Sequence, residues 1–174
     1  MSNSVAKAAE TEVPLVFSGG HETDPQDHGR PVVLVAAGLG VKPEVFRKAF
    51  SGVHPARDGR PSADEQRRNK TALMKVLGPL GITNDRLDEV SNYYRYRSDS
   101  GKLWKHKAAA GYAVVDSGKV TKIVVTEPGA GYSSPPKATI EGMDKVELKV
   151  KVQFVEDLKK NGAVESVDVV AAGS

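Results

Sequence analysis

The 174 residues include no cysteine, so disulfides, thiolate metal sites and cysteine nucleophiles are excluded at the outset. That absence fits a reducing compartment, and equally an exported protein that does without disulfides. No run of about 18 apolar residues occurs, so no stretch is suited to cross a membrane as a helix. Residues 1–12 lack the apolar segment of a signal peptide, although a mature form carrying an added Met would read the same. With Val5 their only large apolar residue after Met1, they read as a mobile tail. Charge is not of one sign either. Lys and Arg number 25 against 22 Asp and Glu, and a net of +3 is too small to imply nucleic acid without local clustering.

Several catalytic signatures are also missing. Gly38-Leu39-Gly40 lacks the Lys-Ser/Thr partner of a phosphate loop, and Gly129-Ala130-Gly131 lacks a following helix to hold an anion. Ser51, Ser133 and Ser134 sit in no Gly-x-Ser-x-Gly elbow, which argues against serine hydrolase chemistry. Asp88-Glu89 reads as part of a solvated helix face.

What is present begins with a hairpin. Val114 and Val115, then Asp116-Ser117-Gly118-Lys119, then the alternation of Val120, Lys122 and Val124 against Thr121, Ile123 and Val125 read as strand, turn, strand. Pro128, Gly129 and Gly131 stop the second strand, and Tyr132 closes a tight corner. The pattern returns. Lys151 to Val155 lead to Asn161-Gly162, and Val164 to Val170 alternates again, so that residues 120–129 align with 164–173 at a spacing of 44. Self-similarity at a fixed spacing marks a supersecondary unit used twice. Val120 and Val164, Ile123 and Val167, and Val125 and Val169 should therefore hold equivalent places in two hairpins. Lys137 to Ile140 is expected to partner the first hairpin, leaving 164–170 as an open edge able to recruit a protein partner or a second copy.

The corner, Thr126, Pro128, Gly129, Gly131, Tyr132, Ser133, Ser134, Pro135 and Pro136, resembles a β-repeat of bacterial surface proteins and phage tail or fibre proteins, in which a strand ends in T-x-P-G-x-G-Y-x-x-x-P. The likeness covers about a third of the chain and carries no catalytic residue. The whole chain also resembles uncharacterised bacterial proteins. Together these resemblances imply an exported or surface-associated, non-catalytic setting.

Ahead of the hairpins, Val13 to Phe17 can form a short strand before Gly19-Gly20. Val32 to Leu39, apolar on every side after Pro31, reads as a buried helix, with a central strand as the alternative. Pro43 opens a helix with Val45, Phe46, Ala49 and Phe50 on one face. Ser62 and Glu65 form a capping box for the next, which Gly78-Pro79 breaks, and Thr83 or Asn84 caps the last. With Thr83 as cap, Ile82 and Leu87 fall at staple positions.

Two clusters could carry chemistry. His21, Glu22, Asp24, Asp27 and His28 offer imidazoles and carboxylates, the ligands that divalent metals accept. Their spacing matches no helical His-x-x-x-His device, and Asp and His beside Pro25 and Gly29 equally serve as turn and cap residues. Tyr93, Tyr94, Arg95, Tyr96 and Arg97, followed by Trp104 and Lys105, interleave rings and cations as a single-stranded nucleic-acid platform does. Without a recognised nucleic-acid motif, a packed aromatic hinge with a basic helix end explains them better.

The reading is therefore α+β: a mobile tail (1–12), a mainly helical part of about four short helices (13–107) and an antiparallel β part of two duplicated hairpins (108–174). The expected function is a non-catalytic interaction or structural module. A metal-dependent enzyme using the His21 to His28 loop and single-stranded nucleic-acid binding through Tyr93 to Lys107 are the alternatives.

Overall fold

The computed structural model of the chain describes residues 10–54, 60–96 and 100–171. The fold is α+β, and the chain divides into two compact units. One, the β unit, comprises residues up to Glu22, His106–Gln153 and Gly162 onward; the other, the helical unit, comprises Thr23–Lys105 and Phe154–Asn161. The boundary expected at 107/108 thus differs in three places, the first being that His106 and Lys107 already belong to the β unit. Residues 13–22 belong with the strands, and Phe154–Asn161 belongs with the helices. Of the tail expected at 1–12, residues 1–9 lie outside the described residues, while Thr11 and Glu12 are already in a strand.

That strand, β1 (Thr11–Ser18), ends where Gly19 and Gly20 adopt positive φ. It serves two antiparallel partners in succession. Thr11 to Pro14 face Val115 to Tyr112 of β2 (Ala110–Asp116), and Leu15 to Ser18 face Ile140 to Lys137 of β4 (Lys137–Ile140). The switch falls at Pro14, which has no N–H for a ladder and whose carbonyl accepts from the Glu141 N–H at 3.2 Å. With β3 (Lys119–Glu127) paired to β2, the order is β3-β2-β1-β4. Lys137 to Ile140 therefore pairs with β1 and not with the first hairpin, because the glycine corner and Pro135-Pro136 turn the chain away from β3. A second sheet pairs β5 (Glu147–Gln153) with β6 (Ala163–Ala171).

The two hairpins share their irregularities. In the first, the register steps from Val115↔Val120 to Val114↔Lys122, which passes over Thr121, and again from Gly111↔Val125 to Ala110↔Glu127, which passes over Thr126. In the second, it steps from Val152↔Val164 to Lys151↔Ser166 over Glu165, and from Leu148↔Val169 to Glu147↔Ala171 over Val170. Thr121 and Glu165, and Thr126 and Val170, stand 44 positions apart. Each bulge shifts the alternation by one residue, so Val164 and Val167 both reach the core although three apart. Ile123, Val125, Val150, Val164 and Val167 pack with Phe17, Ala138 and Tyr132 in one core, and Leu15, Ala113, Val115 and Ile140 form a second.

The helical unit holds four helices among the described residues: α1 (Val32–Gly38), α2 (Pro43–Phe50), α3 (Ala63–Leu77) and α4 (Asn84–Tyr93). Val32–Gly38 is helix and not strand, with Pro31 at the cap just before it instead of at its first position, and Leu39 as its C-cap. The Ser62–Glu65 capping box is formed in both directions, and the Thr83 hydroxyl accepts from the Arg86 N–H at 3.1 Å. Leu34, Leu77, Leu87, Val90, Tyr94 and Trp104 are buried together.

Asn161 completes this core. It is fully buried, donates from Nδ2 to the Leu34 carbonyl at 2.8 Å and the Tyr94 hydroxyl at 2.9 Å, and accepts at Oδ1 from the Val155 N–H at 3.1 Å. A buried amide so occupied links α1, α4 and the 154–161 segment through hydrogen bonds that water cannot easily replace. Arg86 acts similarly at lesser depth, donating to the carbonyls of Gly38 and Glu156.

Candidate functional site

Both sheets of the β unit end on an open strand. β3 and β6 approach each other at one end, where the Val164 N–H donates to the Pro128 carbonyl at 2.8 Å. Beyond that point no ladder joins them among the described residues. At the other end a cleft of about 700 Å³ opens between the β2–β3 turn, the β4–β5 connection and the end of β6, lined by Lys119, Val120, Met143, Val146 and Val169. Since Pro128 meets Val164 while the start of β3 and Val169 share this cleft, the two strands run antiparallel.

The side chains on these edges differ in sign. β3 exposes Lys119 and Lys122, while its one acid, Glu127, pairs with Lys107 at 2.9 Å; that lysine holds the Glu127 carboxyl below its usual range. β6 exposes Glu165 and Asp168. None of Lys119, Lys122, Glu165 and Asp168 forms an ion pair among the described residues. Val169 and Val170 are 41% and 56% exposed, placing apolar surface beside unpaired backbone. Gly118, Gly142, Asp144 and Lys145 complete the lining of the cleft.

The His21 to His28 loop is divided between two roles. In the β unit, the Ser133 and Ser134 N–H groups donate to the Gly20 carbonyl, and the Ser133 hydroxyl donates to the Glu22 carbonyl at 2.6 Å. The Ser134 hydroxyl donates to the Glu22 carboxylate and lowers its pKa. His21 stacks on Tyr132 with centroids 5.3 Å apart and lies 4.6 Å from the His106 ring. Burial first, then His106, lowers the His21 pKa, against an upward pull from Glu22.

In the helical unit, Asp24 caps the turn Pro25–Asp27 by accepting from the Gln26 N–H at 3.0 Å, which lowers its pKa. Asp27 is buried and takes a bidentate ion pair from Arg47 at 2.8 and 2.7 Å. His28 ends that turn at φ 52. Among the described residues no three His, Asp or Glu side chains stand together as a metal-holding group. Capping and ion pairing, each satisfied locally, occupy the acids.

The aromatic stretch is mostly packed. Tyr94 and Trp104 are 2% exposed, so neither face is open to a base, and burial pushes the Tyr94 hydroxyl up to about 12. Tyr93 meets Tyr94 edge-on at 5.0 Å and carries Lys105 over its ring at 4.7 Å. Tyr96 lies 6.4 Å from Trp104 and fits against Gly29, where a Cβ would come within 3.0 Å of its hydroxyl. Arg95 donates to the Asn92 side chain, and Arg97 lies outside the described residues. His28, Tyr94, Arg95 and Tyr96 do meet, with Arg30 and Phe50, around a cleft of about 320 Å³.

The corner after β3 was legible in Gly129, Gly131 and Tyr132. Gly129 (φ 67) sits where a Cβ would be 2.5 Å from the Lys107 carbonyl, and the Tyr132 hydroxyl accepts from the Ala109 N–H at 2.9 Å. In the sequence Asn161 reads only as a turn residue. Its neighbour Gly162 supports that reading, and no local pattern announces a buried amide. Comparison with protein families, curated proteins and solved structures finds no match to this chain.

Proposed function

We propose that this protein is a non-catalytic interaction or structural module that binds another chain by strand addition along β6. The observation that carries this reading is the open edge of β6, unpaired beyond Val164 among the described residues and flanked by exposed Val169 and Val170. Backbone hydrogen bonds supply affinity in strand addition, and alternate side chains supply selectivity. The corner at Thr126 to Pro136, with its resemblance to repeats of surface and phage tail or fibre proteins, supports an exported or surface-associated setting. Bulges at matching places in both hairpins support a duplicated unit.

A synthetic peptide of residues 119–127 serves as the strand probe. Added in excess to the full chain, it should slow hydrogen exchange at backbone amides of 165–170. Unchanged exchange there, with the peptide soluble, removes the reading.

A further inference from the structure

We infer that the chain recognised by these edges is a second copy of this protein, docked so that β3 of each copy lies along β6 of the other. The inference rests on the strand-addition reading and adds the identity of the partner.

Charge selects among the possible pairings. Two β6 edges brought together would set Glu165 and Asp168 against the same acids, and two β3 edges would set Lys119 and Lys122 against the same lysines. Like charges facing across strands are destabilising, whereas opposite charges stabilise. Only β3 against β6 places lysines opposite acids, and these four side chains have no ion pair within the chain among the described residues.

Geometry agrees. Within one chain β3 and β6 already run antiparallel and bond once, from Val164 to Pro128, before the seam opens to the cleft at Val120 and Val169. A two-fold axis along the strands would set both intermolecular contacts antiparallel at once. The same patch then serves both copies, and the assembly closes at two. Val169 and Val170, exposed in the single chain, would be covered.

Sedimentation of the full chain over a range of concentrations tests this. The 18.6 kDa chain should pass to twice that mass as concentration rises, and added salt should weaken the dimer. K119E/K122E, with both edges acidic, and E165K/D168K, with both basic, should each associate about tenfold or more weakly. Mixing them one to one should restore the dimer, since each supplies the other's complement. All four positions are exposed, and circular dichroism of each variant is to be checked against the wild-type spectrum. A wild-type chain that stays monomeric, a dimer indifferent to salt, a mixture that does not recover, or masses that climb past two would each overturn the inference. If the 119–127 peptide still protects β6 while the wild type is monomeric, strand addition stands and the second copy falls. If the peptide gives no protection, the broader reading fails as well.

Discussion

Hairpin β2–β3 and hairpin β5–β6 carry the same ladder with the same two bulges, yet their turns have opposite characters. The first closes through Ser117-Gly118, both at positive φ, at the rim of the cleft, where a Cβ on the glycine would meet nothing within 4 Å. The second opens into 154–162, most of which belongs to the helical unit and ends in Asn161, one of the most deeply buried polar residues described. A hairpin's register is therefore compatible with very different connections. Bulges and inward valines hold the strands, which leaves the loop free to take on another structural role.

The sharpest way to break this comparison is Asn161→Ala. It strands the Leu34 carbonyl, the Val155 N–H and the Tyr94 hydroxyl in the core, and should cost about 2–4 kcal/mol in the helical unit. Urea unfolding followed by Trp104, the single tryptophan, measures it. A loss below about 1 kcal/mol would mean the second turn is no more anchored than the first.

Gly118→Ala probes the other turn. A Cβ there meets nothing within 4 Å, so the cost is that of φ 76 alone, about 1–2 kcal/mol. Faster hydrogen exchange confined to β2 and β3 is the expected signature. Spread of the effect to β5 and β6 would show that the hairpins do not hold their registers independently.

The smallest effect concerns the corner after the first hairpin, where His21 stacks on Tyr132 near His106 and Glu22. The folded state holds the His21 pKa below its unfolded value of about 6.5, so the unfolded chain binds more protons. Stability from this group is whole above that value and declines as pH falls through it toward the folded pKa. Urea midpoints at pH about 7.5 and about 5.5 should differ less in His21→Phe than in the wild type. An unchanged difference would remove His21 from the pH response.

Much of this was legible locally. A capping box, a Thr cap with its staple, a two-residue turn and a glycine corner depend on residues a few positions apart, and Ser62, Thr83, Gly118 and Gly129 appear where those rules put them. The 44-residue spacing was visible as well. The bulges were not, because a bulge is a relation between two strands and alternation in one strand does not show it. The candidate clusters were legible as residue types only. Asp27 could have been a ligand until Arg47, twenty residues on, claimed it.

By itself, then, the sequence determined the α+β class, the places where helices begin and the two hairpin patterns, since steric preference and hydrophobic period act over short range. Tertiary structure alone decided that β1 joins strands about a hundred residues later, that β4 pairs with β1, and that Asn161 is a core residue. These depend on which distant surfaces exclude water together. The open edges of β3 and β6 belong to the same class of fact: a strand is an edge only because, among the described residues, no further strand pairs beside it.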